Sequence, residues 1–460
     1  MVALIARGSR RAGVRTTMDT RCSSLRHATF VLATVTATLL GGCSEQTTSL
    51  ELSGSFLDGS VGPRLEPMVE LGQALFFDPE LSGNRDISCG TCHVPFLTTS
   101  EGIPLSIGHG GTELGPFRVR GAAAIIPRHS LDLFHRSDLD ALFWDGRVER
   151  LSTGEVVGPV PTPPGITTAL QLASIVPLLD RHEMRGDPGD IGFDGRPNEL
   201  ATLDDDDALA IWTAIAARLG AIEGYPVLFA QAFGDPEIDI GRVAIALARF
   251  QEVFWGPLET TVVTDPARAD LVAQGEALFR RDGGCARCHS GEHFTDERYH
   301  DLAVPPIGPG FADAGGLDEG RFRVTRAPAD RFAFRTPPLR NVALTPPSMH
   351  DGAYPTLEAA IRHHFDPAGS LRAYTGEHLP DSLRATLITD PATLDAIAAN
   401  AADAAPLRPL TDEEVRALIV FLESLTNPTE LTRHPEHAVP RFVPSGLEVD
   451  RWNGSAHPFR

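Results

Sequence analysis

CGTCH, Cys89 to His93, and CARCH, Cys285 to His289, are two copies of one five-residue pattern in a chain of 460 residues with six cysteines. Cysteine-x-x-cysteine-histidine is the attachment pattern of a c-type haem. Its spacing has a chemical reason. Two thiols form thioether bonds to the haem vinyl groups, and the next residue offers an imidazole to the iron from one face. A single copy arises by chance or as a redox dithiol. Two copies, with no other cysteine after Cys43, point to two covalent haems held by Cys89, Cys92, His93 and by Cys285, Cys288, His289. A zinc site would gather its cysteines and histidines at one metal, whereas these lie in two separate settings.

The motifs sit inside a larger repeat. LGQALFFDPELSGNRDISCGTCH (Leu71–His93) is echoed by QGEALFRRDGGCARCH (Gln274–His289), and FWDGRVERL (Phe143–Leu151) by MHDGAYPTL (Met349–Leu357). Each half closes on an amphipathic segment, IGRVAIALARFQEVF (Ile240–Phe254) and TDEEVRALIVFLESL (Thr411–Leu425). In the second, Val415, Leu418, Ile419 and Leu422 share a helical face. Thr411 is its expected N-cap, with Glu414 completing a capping box. Strand signals are sparse, and 43 glycines and 37 prolines imply much irregular chain. The expected fold is mainly α: two cytochrome c-like haem domains in tandem, with long ordered loops. One spans 43–262 and the other 263–430, with the boundary near Thr260–Asp270 and a tail, 431–460, lying over the surface. LDDDDALAIW (Leu203–Trp212) reads as a helix start whose acids face the positive end of the dipole.

Composition narrows the chemistry. The formal net charge is −21, which argues against nucleic acid and suits a basic protein partner. All 40 basic residues are arginine, so a lysine Schiff base and a P-loop are excluded. The first 42 residues read as a targeting segment: arginines from Arg7 to Arg26, then the apolar run FVLATVTATLL (Phe30–Leu40), too short to span a bilayer comfortably. LGGC (Leu40–Cys43) resembles a bacterial lipobox, which implies Cys43 as a lipidated first mature residue and a periplasmic, lipid-anchored protein. The alternative is ordinary signal cleavage nearby.

From Leu71 to Asn427 the chain resembles the bacterial di-haem cytochrome c peroxidases and their MauG-type relatives. The resemblance rests on LFFDPELSG, IGHGG, FWDGR, FRTPPLRNVALTPPSMHDG, both haem motifs and the closing helix. It implies a peroxidatic first haem with His93 proximal and His109 as a detachable distal ligand. Glycines 108, 110, 111 and 115 around His109 allow such movement at low steric cost. Loop composition alone is equally consistent with a surface histidine. The resemblance makes Trp144 the electron bridge between haems, where the bare sequence suggests a buried structural tryptophan. It makes Glu183 the acid-base group that carries a proton between the peroxide oxygens. Without it, Glu183 reads as a surface acid in a charged turn, with His182 beside it structural.

The second haem would take electrons, with His289 proximal. Relatives place methionine or tyrosine on its far side; here the matching position in IRHHFDP (Ile361–Pro367) is His364, with Met349 as fallback. Its neighbour His363 points elsewhere on a helix and is expected at a propionate or the surface. The resemblance also implies a calcium ion. Gly121 stands where an asparagine ligand is expected, leaving the carbonyls near Thr345 and Pro347. The leading function is reduction of hydrogen peroxide to water with electrons from a small soluble cytochrome c or cupredoxin. The alternatives are a MauG-like enzyme oxidising residues of a partner protein, and a non-catalytic di-haem carrier or sensor. Members of the family are often homodimers, but no feature here marks such an interface.

Overall fold

The computed structural model describes residues 65–256, 266–401, 408–427 and 435–451. The leader, with Cys43, and most of the expected boundary segment lie outside them. The described chain from Leu65 onward is one compact unit, mainly helical, with five short strands.

The repeat has a packing reason. An opening helix, Pro67–Phe77, starts on a proline at its first turn and buries Leu71, Leu75, Phe76 and Phe77. It crosses the closing helix, Ile240–Trp255, at Gly72, where a Cβ would lie 2.0 Å from the Ala246 carbonyl oxygen. In the second half the helix Ala269–Ala277 crosses Asp412–Ser424 at Gly275, where a Cβ would lie 2.1 Å from the Ala417 carbonyl oxygen. One helical turn beyond each glycine, Phe76 meets Phe250 and Phe279 meets Phe421, with ring centroids 5.3 and 5.2 Å apart. The shared Gly-x-Ala-Leu-Phe is thus a crossing point. Glycine lets two backbones touch, and the phenylalanine locks the contact. Thr411 caps the last of these helices by accepting from the Glu414 N–H, and Glu414 returns the bond, as the capping box predicts. The acid run caps too: Asp207 accepts from the Ala210 N–H at the start of Ala208–Gly220.

The second echo is a turn. Phe143 and Gly146 have φ of +66° and +63°; Met349 and Gly352 have +78° and +70°. In each, the third residue's carboxylate accepts a backbone N–H two residues on: Asp145 from Arg147 at 3.1 Å, Asp351 from Ala353 at 3.0 Å. The first turn joins antiparallel strands Ala141–Leu142 and Val148–Arg150, with Val156–Val157 on the outer edge of that sheet. A second ribbon pairs Tyr299–His300 with Phe334–Arg335.

Main-chain bonds and buried ion pairs join the halves. The Arg335 N–H donates to the Trp144 carbonyl at 2.7 Å, and the His129 N–H to the His350 carbonyl at 2.7 Å. Arg128 bridges Asp145 and Asp318, 2.6 Å from each, with all three side chains buried. Removing one partner of such a pair strands a charge, at about 3–5 kcal/mol. The largest apolar core runs from Val69 to Trp255 and takes in Ala438, Val443 and Val449 from near the C-terminus. A second core gathers Phe279, Leu339, Leu418 and Leu422 around the partly buried Cys285. Residues 435–451 are tied back to the first half by side-chain bonds. Gln73 donates to the carbonyls of His437 and Ala438, Ser445 donates to Asp78 at 2.6 Å, and Thr91 donates to Asp450 at 2.6 Å.

Candidate active site

The first haem motif begins on a single helical turn, Cys89–Cys92, whose Gly90 has to be bare because a Cβ would sit 2.4 Å from the Phe77 ring. Neither motif forms a disulfide. Burial pushes the Cys89 thiol up to about 12, which disfavours the reactive thiolate. His93 Nδ1 lies 3.1 Å from the Thr99 carbonyl and His289 Nδ1 lies 3.0 Å from the Phe294 carbonyl. Both acceptors sit in the left-handed region, with φ of +54° and +56°, which aims each carbonyl back at its imidazole. Burial lowers both pKa values, His289 to about 4, so both rings are neutral. A neutral ring that donates through Nδ1 keeps the Nε2 lone pair for a metal.

A cavity of about 250 Å³ opens in front of His93, lined among others by Cys89, Cys92, Trp144, Arg147 and Glu183. Arg136 Nη1 and Arg335 Nη2 are buried with no hydrogen-bond partner, and both residues line this cavity. Two orphaned guanidinium N–H groups beside a C-x-x-C-H motif fit haem propionates. The donor set and the cradle therefore match a c-type haem. Sequence reading missed both arginines. The faint signal was that a lysine-free chain must use arginine for every buried cation; Arg335 lies within the quoted FRTPP stretch.

Glu183 sits in a π-type turn, Arg181–Arg185, capped by Asp180, which accepts the backbone N–H of His182 and Glu183. Its side chain keeps 25% of its surface, facing the cavity, with Arg147 Nη2 3.8 Å from Oε1. Burial, aided by Asp180, pushes its carboxyl up to about 7 against the pull of Arg147. Trp144 is buried at the seam and donates from Nε1 to the His129 carbonyl at 2.9 Å. His182 is exposed; its carbonyl is the structural part, packed so closely on Gly108 that a Cβ there would stand 1.7 Å away.

His109 comes to the edge of this group rather than into it. Its backbone N–H donates to the Glu183 carbonyl at 3.2 Å, and Gly108 forms the cavity wall at that point. Asn84 Nδ2 donates to the His109 ring at Nδ1 (3.0 Å) and to Asp190 (2.9 Å), while Asn84 Oδ1 accepts from Asn198 (2.8 Å). That network fixes the amide orientation and makes Nδ1 an acceptor, so the neutral ring carries its proton on Nε2. Asn84 thereby fixes the tautomer of the ring, a contact that nothing in the sequence near IGHGG marks.

At the second motif, His364 donates from Nδ1 to the Ala360 carbonyl at 2.7 Å, which leaves Nε2 for a metal. His289 lies within electrostatic reach of His364, whose presence adds to the lowering of its pKa. Met349 instead packs with Leu105, Ile307 and Tyr354, in a cluster separate from the core around Cys285. The expectation for His363 needs correction. It is buried at 1% exposure, takes a hydrogen bond from Tyr354 Oη at Nδ1 (2.8 Å) and donates from Nε2 to the Leu302 carbonyl (2.7 Å). Helical geometry sends it away from His364, as expected, but inward to an internal anchor. Gly121 lies beside the His109 loop, its Cβ position 3.9 Å from the Gly110 carbonyl, and supplies no side-chain oxygen for calcium.

A mainly helical fold with two C-x-x-C-H centres, one facing a cavity with a proton-carrying carboxyl, defines a c-type haem oxidoreductase. The family described as di-haem cytochrome c peroxidase matches residues 66–277. The methylamine utilization protein MauG of Methylorubrum extorquens is 30% identical over 311 residues, 66% of this chain and 70% of that protein. The cytochrome c551 peroxidase of Pseudomonas aeruginosa is 29% identical over 321 residues, 65% of this chain and 72% of that one. Among solved structures, a variant of the dihaem peroxidase BthA from Burkholderia thailandensis aligns with a TM-score of 0.51 at 22% identity, over 86% of this chain and 94% of that chain. The chain belongs to the di-haem cytochrome c peroxidase family.

Proposed function

We propose that the protein reduces hydrogen peroxide to water with electrons from a small redox protein, and that the cavity facing His93 is where peroxide reacts. One observation carries the reading: a half-buried glutamate, Glu183, faces the same cavity as the Cys89-Cys92-His93 motif, with its carboxyl pushed up to about 7. A haem bound there supplies the redox iron. Glu183, ionised, would take a proton from one peroxide oxygen and return it to the other. Arg147, held against the Phe143 ring at 3.9 Å, keeps part of the carboxylate population charged at neutral pH. Arg136 and Arg335 take the propionates. His109 would be the gate: while Asn84 donates to Nδ1 the ring holds its proton on Nε2, and loss of that bond would free Nε2 as a ligand. Trp144 carries electrons between the centres from its place at the seam.

In this reading the halves are two cytochrome c-like domains, and the second is the electron entry, with His289 and His364 as the residues that would hold its haem. Two histidines in place of histidine and methionine lower its potential. The acidic chain favours a basic donor, such as a small cytochrome c or a cupredoxin. A calcium ion would have only main-chain oxygens near Thr345 and Pro347 from the expected set. Export to the periplasm with a lipid on Cys43 completes the proposal. The test is turnover of hydrogen peroxide by the purified holoprotein with a reduced small cytochrome. Absence of reaction with peroxide in every redox state overturns it, and reaction without cytochrome turnover moves the reading to a protein substrate.

A further inference from the structure

Beside the two C-x-x-C-H motifs, three side chains from two distant parts of the chain converge. His135, Asp138 and His293 place their ligating atoms within 4.8 Å of one another. His293 Nε2 lies 3.3 Å from Asp138 Oδ2, and the rings of His135 and His293 are 5.4 Å apart between centroids, tilted by 39°. A hydrogen bond between His293 and Asp138 accounts for two of the three. The second imidazole makes the group a ligand set.

The set is held by structure. His135 is buried, and its backbone N–H donates to the Trp255 carbonyl at 2.8 Å. Its φ of +59° is rare for a residue with a side chain and is kept only where the surroundings impose it. It caps the 3₁₀ turn Arg136–Asp138, so Asp138 stands three residues on, where side chains of such a turn eclipse. His293 is fixed from the other half, its carbonyl accepting from the Leu339 N–H at 3.2 Å. Its Nδ1 is buried with no hydrogen-bond partner. The charges around His293 are mixed. Asp138 and Glu292 favour a cation and Arg340 opposes one, with the Arg340 Nε tied to the Glu292 carbonyl at 3.1 Å.

Two imidazoles and one carboxylate suit a borderline divalent ion in a four-coordinate site with one water. We propose that His135, Asp138 and His293 bind a divalent ion of the zinc class, and that the ion clamps a wall of the first cavity to the loop of the second haem motif. The two sides are close to both centres. Asp132 and Arg136, flanking His135, line the cavity, and His293 immediately precedes Phe294, whose carbonyl orients His289.

The experiment uses the holoprotein, stripped with a chelator and dialysed against Zn²⁺. Non-haem zinc is counted by mass spectrometry, and affinity is measured by competition with a chromophoric chelator. One zinc per chain should survive dialysis. Asp138→Asn and His293→Gln should each weaken binding by more than about 100-fold, because losing an outer-shell partner alone costs 10–100-fold. His378→Gln, at an exposed histidine elsewhere, should leave it unchanged. Unaltered visible spectra of both haems show that each variant is folded. Should His135→Ala impair haem incorporation, the two more exposed ligands decide alone. Absence of stoichiometric zinc, or an affinity indifferent to Asp138→Asn and His293→Gln, overturns the proposal.

Discussion

The role proposed for Glu183 sets a measurable pH dependence. To take a proton from peroxide the carboxyl must be ionised, and burial with Asp180 beside it holds it at about 7. The rate constant kcat/KM should therefore rise with pH through an acid limb near 7. Arg147 is the lever. Its Nη2 is 3.8 Å from Glu183 Oε1, and stacking on Phe143 prevents it from swinging away. An opposite charge at that range moves a carboxyl by about 1–3 pH units, so Arg147→Leu should move the limb upward by that amount. Glu183→Gln should flatten the limb and lower the rate by about 10²–10⁴-fold. Stability gives an independent reading of the same group. The folded pKa is raised from the ordinary 4.5, so between 4.5 and about 7 the native state binds more protons than the unfolded one. Stability from this group is full below 4.5 and falls as pH rises through 7, and Glu183→Gln should remove that slope. The assay is peroxide-dependent oxidation of a reduced small cytochrome from pH 5 to 9, with denaturant melts at the same values. A Glu183→Gln protein that keeps the acid limb refutes the assignment.

Three further outcomes follow from the geometry. His364→Ala should abolish the low-spin EPR signal of the second haem while the first is unchanged; an unaltered signal returns the ligand role to Met349. Asn84→Leu removes the donor at His109 Nδ1 and should raise the six-coordinate fraction of the first haem, read by EPR, with slower peroxide reaction. No change there would show that Asn84 does not restrain the ring. Gly275→Val forces a side chain into the Ala417 backbone and should cost about 1–3 kcal/mol or more in denaturant melts, whereas Gly220→Ala, with open space around it and no left-handed backbone, should cost far less.

The parts of this molecule that were legible in the sequence are local or repeated. Both haem motifs, the closing helices, the Thr411 cap and the paired Gly-x-Ala-Leu-Phe segments announce themselves through spacing. Their physical causes, a thioether pair, a helical face and a bare crossing point, act over a few residues. What stayed hidden depends on long-range meetings. Arg335 reaches the first cavity only because its strand bonds to Trp144. Asn84 meets His109 because Asn198 and Asp190 fold back on it. The direction of His363 was legible from helical geometry, but its destination was not, because Tyr354 and Leu302 come from other segments. His135 and His293 carry no motif at all.

The bond from Thr91 to Asp450 bears on how the protein is made. Thr91 stands between the two cysteines of the first motif and is buried, so residues near the C-terminus close over the place where a haem is attached. An attachment enzyme needs that motif open and its thiols reachable. On the assignment proposed above, haem attachment at Cys89 and Cys92 would precede docking of this segment. The C-terminal segment would then act as a seal on a finished centre, and a chain truncated before Ala438 would lose three residues of the first core as well as the cover on its first motif.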